Sequence, residues 1–187
     1  MVPLGESRSR MPFGSGSKRR LEVDMEKYVK MALEMGALDA LLVEVTDIVF
    51  DPRTYLKCAW GCPEFGQLKC SPDLIKPWEA EPLLRRYRKA LLVHTYVKEQ
   101  ANEIAWEVER AAFLDGYYWA FALYDCHGCE ACTAASRQEC AHPEKARPGD
   151  DFMGIDVYAT VRRLGLPIEV LTRREQKQNR YAFVFLE

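Results

Sequence analysis

Seven cysteines in a chain of 187 residues fall into two short blocks instead of spreading along it. The second block reads Cys126-His127-Gly128-Cys129-Glu130-Ala131-Cys132 and is followed, after seven residues, by Cys140-Ala141-His142-Pro143. Two residues between successive cysteines is the spacing of bacterial ferredoxins, in which a tight loop aims its thiolates at separate irons of one cluster. Gly128 would relieve crowding in such a loop. In ferredoxins the fourth cysteine comes three residues on and serves a different cluster. Cys140 comes after seven, a reach that would let it close the same one.

These residues predict a four-iron, four-sulfide (4Fe-4S) cluster on Cys126, Cys129, Cys132 and Cys140. Zinc is the alternative, because four thiolates also satisfy a tetrahedral ion and Cys-x2-Cys is a normal zinc half-site. Zinc modules, however, usually separate two cysteine pairs by a dozen or more residues, whereas here three cysteines stand at equal intervals. His127 and His142 read as loop histidines, since four cysteines already complete the set.

The first block is Cys58-Ala59-Trp60-Gly61-Cys62-Pro63-Glu64-Phe65-Gly66-Gln67-Leu68-Lys69-Cys70-Ser71-Pro72, with three cysteines. Its second gap is too long for the Cys-x3-Cys-x2-Cys of radical enzymes that use S-adenosylmethionine. Three thiolates would leave one metal position open to a substrate or another ligand, so Cys58, Cys62 and Cys70 are candidate ligands of a second centre. The alternative is that they pack as small buried residues.

Around the second block, Lys145 and Arg147 could tune a cluster by charge and hydrogen bonding. Asp125, Glu130, Glu139 and Glu144 show no pairing that would define an acid and a base, so no catalytic residue is assigned. His94, in an apolar run, reads as a satisfied strand histidine.

Acidic and basic residues nearly cancel, 28 against 26, so no broad positive field exists to hold a phosphate backbone. Nucleic acid is not an expected partner. No apolar run approaches the roughly 20 residues needed to span a bilayer, and no secretory leader is evident. An odd number of clustered cysteines fits a reducing compartment better than a disulfide framework, so a cytoplasmic protein is expected.

The elements that must position the cysteines follow from periodicity. Residues 1–22 read as a disordered tail, rich in Gly, Ser and Arg, and residues 23–187 as one cysteine-rich metal-binding domain. A helix begins at Asp24 and ends at Gly36. A strand over 41–50 is expected to turn at Asp51-Pro52-Arg53-Thr54 and return as a hairpin that delivers Cys58. A helix over 79–88 precedes a buried strand over 90–97, and a long helix over 98–115 stops at Gly116. An aromatic strand over 117–124 runs into Cys126. The remainder holds a helix over 152–164 and strands at 167–171 and 181–186. The expected fold is α/β (α+β): a single-domain sandwich with a four- or five-stranded mixed sheet, about four helices, and cysteine-rich loops at strand ends.

The same residues resemble a family of predicted metal-binding proteins, a cysteine-rich domain of unknown function common in anaerobic bacteria and methanogenic archaea. The resemblance lies in Cys126-x2-Cys129-x2-Cys132-x7-Cys140-Ala141-His142-Pro143-Glu144-Lys145-Ala146-Arg147-Pro148 and in Met153-Gly154-Ile155-Asp156-Val157. Cys58, Cys62, Phe65-Gly66 and Cys70-Ser71-Pro72 resemble its upstream block. Gly149-Asp150-Asp151-Phe152 departs from the family's usual Ser-Met-Glu-Ala. Membership implies metal binding and supplies no activity.

The expected role is an iron-sulfur protein of anaerobic metabolism that transfers electrons, or an accessory redox module, with a redox protein or enzyme as partner. One alternative is an enzyme that offers an open iron-sulfur site at Cys58, Cys62 and Cys70 to a small substrate. The other is a zinc-stabilised interaction module.

Overall fold

A computed structural model describes residues 16–187 except 127, 130, 131 and 174, with side chains from residue 25 onward. Most of the expected tail, residues 1–15, lies outside the described residues. The first helix, α1 (Gly16–Glu34), starts ahead of Asp24 and buries Met25, Tyr28 and Ala32. Gly36, at φ 95°, ends it in the left-handed region that favours glycine.

Four strands form one sheet: β1 (Asp39–Glu44), β2 (Lys89–Thr95), β3 (Phe121–Leu123) and β4 (Arg180–Phe185), in the order β1-β2-β4-β3. Every pairing is antiparallel, so the sheet is not mixed as expected. The reason is the last strand. β2 and β3 run the same way, joined by the long helix α4 (Lys98–Leu114), but β4 inserts between them and is antiparallel to both. The fold is α+β, with five α-helices among the described residues.

Alternating side chains of the central strands feed two cores. Leu91, Val93, Ala182 and Val184 face α1 and α4, whose Ala101, Ile104, Ala105, Val108 and Ala112 form the helix stripe expected from the sequence. Ala90, Leu92, Phe183 and Phe185 face the other way, toward Ile48, Cys70, Phe152, Ile155 and Val161. Burial on both faces explains why β2 and β4 read as nearly unbroken apolar runs.

Two expected strands are absent. After β1 and a 3-10 turn at Val45–Asp47, the chain does not return as a hairpin: it winds into helix α2 (Thr54–Gly61), so Cys58 arrives on a helix. Asp51 explains the difference. Its side chain accepts from the Arg53 amide at 2.9 Å and its carbonyl accepts from Thr54 Oγ1 at 2.9 Å, while Pro52 already has a helical φ. The turn signal was therefore a helix start. Residues 167–171 pair with no strand and stay irregular, and Val170 is exposed. Helix α3 (Pro77–Leu84) starts at its proline, ahead of the expected span 79–88, and ends short of it. Helix α5 (Val157–Arg163) is shorter than expected, because Asp156 caps it by accepting from the Ala159 amide at 2.8 Å.

Candidate metal centres

The second block leaves the sheet directly from β3. Cys126 packs against the α4 core, and Tyr124 anchors the returning end of the loop, its hydroxyl donating to the Lys145 carbonyl at 2.5 Å and its amide to the Pro148 carbonyl at 3.1 Å. Between those anchors the loop makes a cavity of about 160 Å³ lined by Cys126, Cys129, Cys132 and Cys140, with Glu103 and Trp106 of α4 behind them. The four thiols lie close enough to act on one another: partial desolvation, then Cys132, Cys140 and Cys126, raise the Cys129 pKa. His142 lines the same cavity, while His127 and Glu130 lie outside the described residues.

The first block sits on the opposite core. Cys58 is on α2, Cys62 caps that helix by donating its amide to the Cys58 carbonyl at 3.3 Å, and Cys70 closes a 3-10 turn at Leu68–Cys70. All three line a cavity of about 530 Å³, together with Lys69, Lys98, Asp150 and Asp151. The Cys58 thiol is pushed up to about 12, first by burial and then by the charges of Asp151, Cys62, Cys70 and Asp150. Asp151 is raised to about 6 by its crowded surroundings and by Asp125 and Asp156, although its side chain is open to the cavity. Burial and the Asp151 charge move Asp150 the same way. Both these carboxyls and the three thiols line this one cavity, a set of groups whose charged forms a cation would favour.

The blocks are stitched together. Gln67 Nε2 donates to the Cys132 carbonyl at 2.8 Å, and the Leu68 amide to the Ala134 carbonyl at 2.9 Å. Lys69 is buried and reaches Glu64, Asp125 and the Cys126 carbonyl at 2.6, 2.8 and 3.3 Å. Lys98 also pairs with Asp125, and Asn102, which lines both cavities, donates to the Asp125 carbonyl at 2.8 Å. Asp125 is thus a structural acceptor.

The expected tuning charges are engaged as well. Arg147 forks onto Glu109 with Nε at 2.8 Å, and its guanidinium lies 4.8 Å from the Trp106 ring centre. Lys145 pairs with Glu103 at 3.1 Å. His94 has Asp39 and Asn179 each at 2.8 Å from its ring nitrogens, a satisfied strand histidine.

Composition and spacing did not single out Lys69, Gln67, Glu109 or Asp150-Asp151. Only the adjacent acids carried a signal, as a departure from the pattern the chain otherwise resembles.

All seven cysteines are free thiols. Among the described residues, no three His, Cys, Asp or Glu side chains converge tightly enough to hold a single ion. The donor set still suits a metal: four thiols share one cavity, three share another, and both cavities far exceed the roughly 10–15 Å³ that one water needs.

The fold and these cysteine-lined cavities define a cysteine-rich α+β protein. Residues 41–186 match the family described as "Predicted metal-binding protein (DUF2284)", and the chain belongs to that family. No curated protein and no solved structure is similar enough to count as a match.

Proposed function

We propose that this protein carries a 4Fe-4S cluster on Cys126, Cys129, Cys132 and Cys140 and works in electron transfer, or as the redox module of a partner enzyme in a reducing, cytoplasmic setting. The observation that carries the reading is the single cavity lined by all four thiols, three of which recur at the Cys-x2-Cys sequence interval of cluster ligands. Such a cluster, when bound, accepts and releases electrons. The chain's own part is to supply the thiolates, hold the loop ends through Tyr124, and keep the Arg147 charge near Cys126. Among the described residues no helix is long and apolar enough to cross a membrane.

Anaerobic purification with iron, acid-labile sulfide and zinc measured on one sample tests the proposal. A brown protein with comparable iron and sulfide is expected. Stoichiometric zinc without iron, even after reconstitution, would overturn it and favour a zinc-stabilised interaction module.

A second reading, an enzyme acting through the first block, is favoured by the 530 Å³ cavity beside Cys58, Cys62 and Cys70. That volume falls within the roughly 300–1,000 Å³ typical of small-molecule sites. Cyanide or a small thiol should then perturb a metal spectrum that Cys62→Ser abolishes. Equal responses in both proteins would refute it.

A further inference from the structure

We infer that a third cavity, between the turn at Cys70, the end of α3 and the returning limb of the second cysteine loop, binds a small organic acid: a carboxylate carried on an apolar body. It encloses about 380 Å³, within the roughly 300–1,000 Å³ typical of small-molecule sites. It shares only Lys69 and Phe152 with the cavity of the first block and no residue with that of the second. No cysteine lines it, so the inference stands whether or not either block holds a metal.

The walls are fixed by contacts on three sides. The Leu68 amide donates to the Ala134 carbonyl at 2.9 Å and the Leu74 amide to the Ser71 carbonyl at 3.1 Å, which holds residues 68–74 as a turn. Pro77 starts α3 and meets Gly154, where an added Cβ would come within 3.3 Å, so the helix is set beside the turn that carries Phe152 and Met153. Opposite, Tyr124 holds Pro148 through its amide and Glu109 holds Arg147. Leu68, Leu84, Phe121, Phe152 and Met153 thus line a space shaped before any ligand arrives, with the exposed Leu74 and Leu83 at its edge.

The charges on this lining are all of one sign: Lys69, Arg137 and Arg147 belong to it and no carboxylate does. Two of the three are committed, Lys69 to Glu64 and Asp125, and Arg147 to Glu109. Arg137 is exposed, and its guanidinium has no hydrogen bond or ion pair among the described residues. Ser71 is the opposite case. It is only 7% exposed, yet its hydroxyl also lacks a hydrogen-bond partner among the described residues. A buried hydroxyl left unpaired costs free energy that a bound acceptor recovers. An unpaired guanidinium beside apolar walls selects an anion, and its planar fork suits a carboxylate. A cation finds no counter-charge here, and a fully polar acid leaves the walls unfilled.

The test is equilibrium dialysis of the anaerobically purified full-length chain against octanoate, octanamide or acetate, with metal counted in every preparation. Octanoate should bind at least about tenfold more tightly than octanamide, which lacks the charge, and acetate should not bind measurably, because it has no apolar body. Arg137→Gln should weaken octanoate by about tenfold or more, the loss expected when a hydrogen bond to a charged group is removed, and leave octanamide near the parent. Ser71→Ala should weaken both, since either ligand offers an oxygen to the hydroxyl. Leu83→Glu places an acid at the edge on a solvent-exposed helix position, so it should reject octanoate alone, and it serves if the other two variants fail to fold. Absence of octanoate binding in the parent overturns the inference. Equal affinities for octanoate and octanamide overturn it as well, because charge then plays no part. Unchanged octanoate binding in both Arg137→Gln and Leu83→Glu puts the acid elsewhere on the protein and overturns this cavity as its site.

Discussion

The ammonium of Lys69 lies 2.8 Å from the carboxylate of Asp125, so the residue before the last cysteine of the first block grips the residue before the first cysteine of the second. Burial works against the Lys69 charge, but its bonds to Asp125 and Glu64 prevail and raise its pKa. Burial would likewise raise Asp125, yet Lys69 and Lys98 bring it below the usual carboxylate range. The Asp125 contribution to stability is present above its unfolded value, about 3.9, and is lost as pH falls through its lower folded value. The Lys69 contribution is present below about 10.4 and is lost as pH rises through its higher folded value. Between those limits the link holds at full strength.

Lys69→Met should therefore destabilise the protein by roughly 2 kcal/mol in urea unfolding near neutral pH. Breaking a buried pair costs roughly 3–5 kcal/mol, and the partial exposure of Glu64 and Asp125 discounts it. The variant should also lose part of the wild-type destabilisation below about pH 4. Identical acid limbs in the two proteins would show that the link carries no such energy.

Cys129→Ser or Cys132→Ser should remove the metal of the second block and expose residues 125–150 to proteolysis. Few of these side chains are buried, so the segment depends on what its thiols hold. Limited trypsin digestion with metal counting checks this, and unchanged protection in both variants counts against the ligand set.

Arg147→Met should lower the reduction potential of a cluster on the second block. The charge of Arg147 reaches Cys126, and removing it disfavours the more negative reduced state. The same change leaves Glu109 buried without its fork, at about 3 kcal/mol of stability. Potentiometric and denaturant titrations separate the two effects, and a potential equal to or above wild type would contradict the first.

In metal-free protein at about pH 8, iodoacetamide should label Cys62 well before Cys58 or Cys70. Cys62 is exposed, whereas Cys70 is buried and the Cys58 thiol is raised to about 12. Peptide mass spectrometry follows the order, and metal loading should protect all three. Equal labelling rates would mean that burial and charge do not distinguish these thiols.

Much of this arrangement was legible in the sequence because it depends on local periodicity. The α4 stripe, the buried β2 run and the strand leading into Cys126 are each fixed by neighbours a few residues apart. The ferredoxin-like spacing of Cys126, Cys129 and Cys132 is local in the same sense, and it anticipated a shared cavity. The error at Asp51-Pro52-Arg53-Thr54 is also instructive: hairpin turns and helix starts use the same residues, and only the Asp51 contacts decide between them.

By itself the sequence marked the cysteines as candidate metal ligands and most of the helices and strands, because composition, spacing and apolar period are properties of short stretches. The tertiary structure decided that β4 enters between β2 and β3, which makes every pairing antiparallel. It also decided that Lys69 meets Asp125, and that Asp151 lies in one cavity with Cys58, Cys62 and Cys70. Such meetings join residues dozens of positions apart. Their energy comes from packing on a shared core and from charges that burial forces to find partners, and neither leaves a periodic mark in the chain.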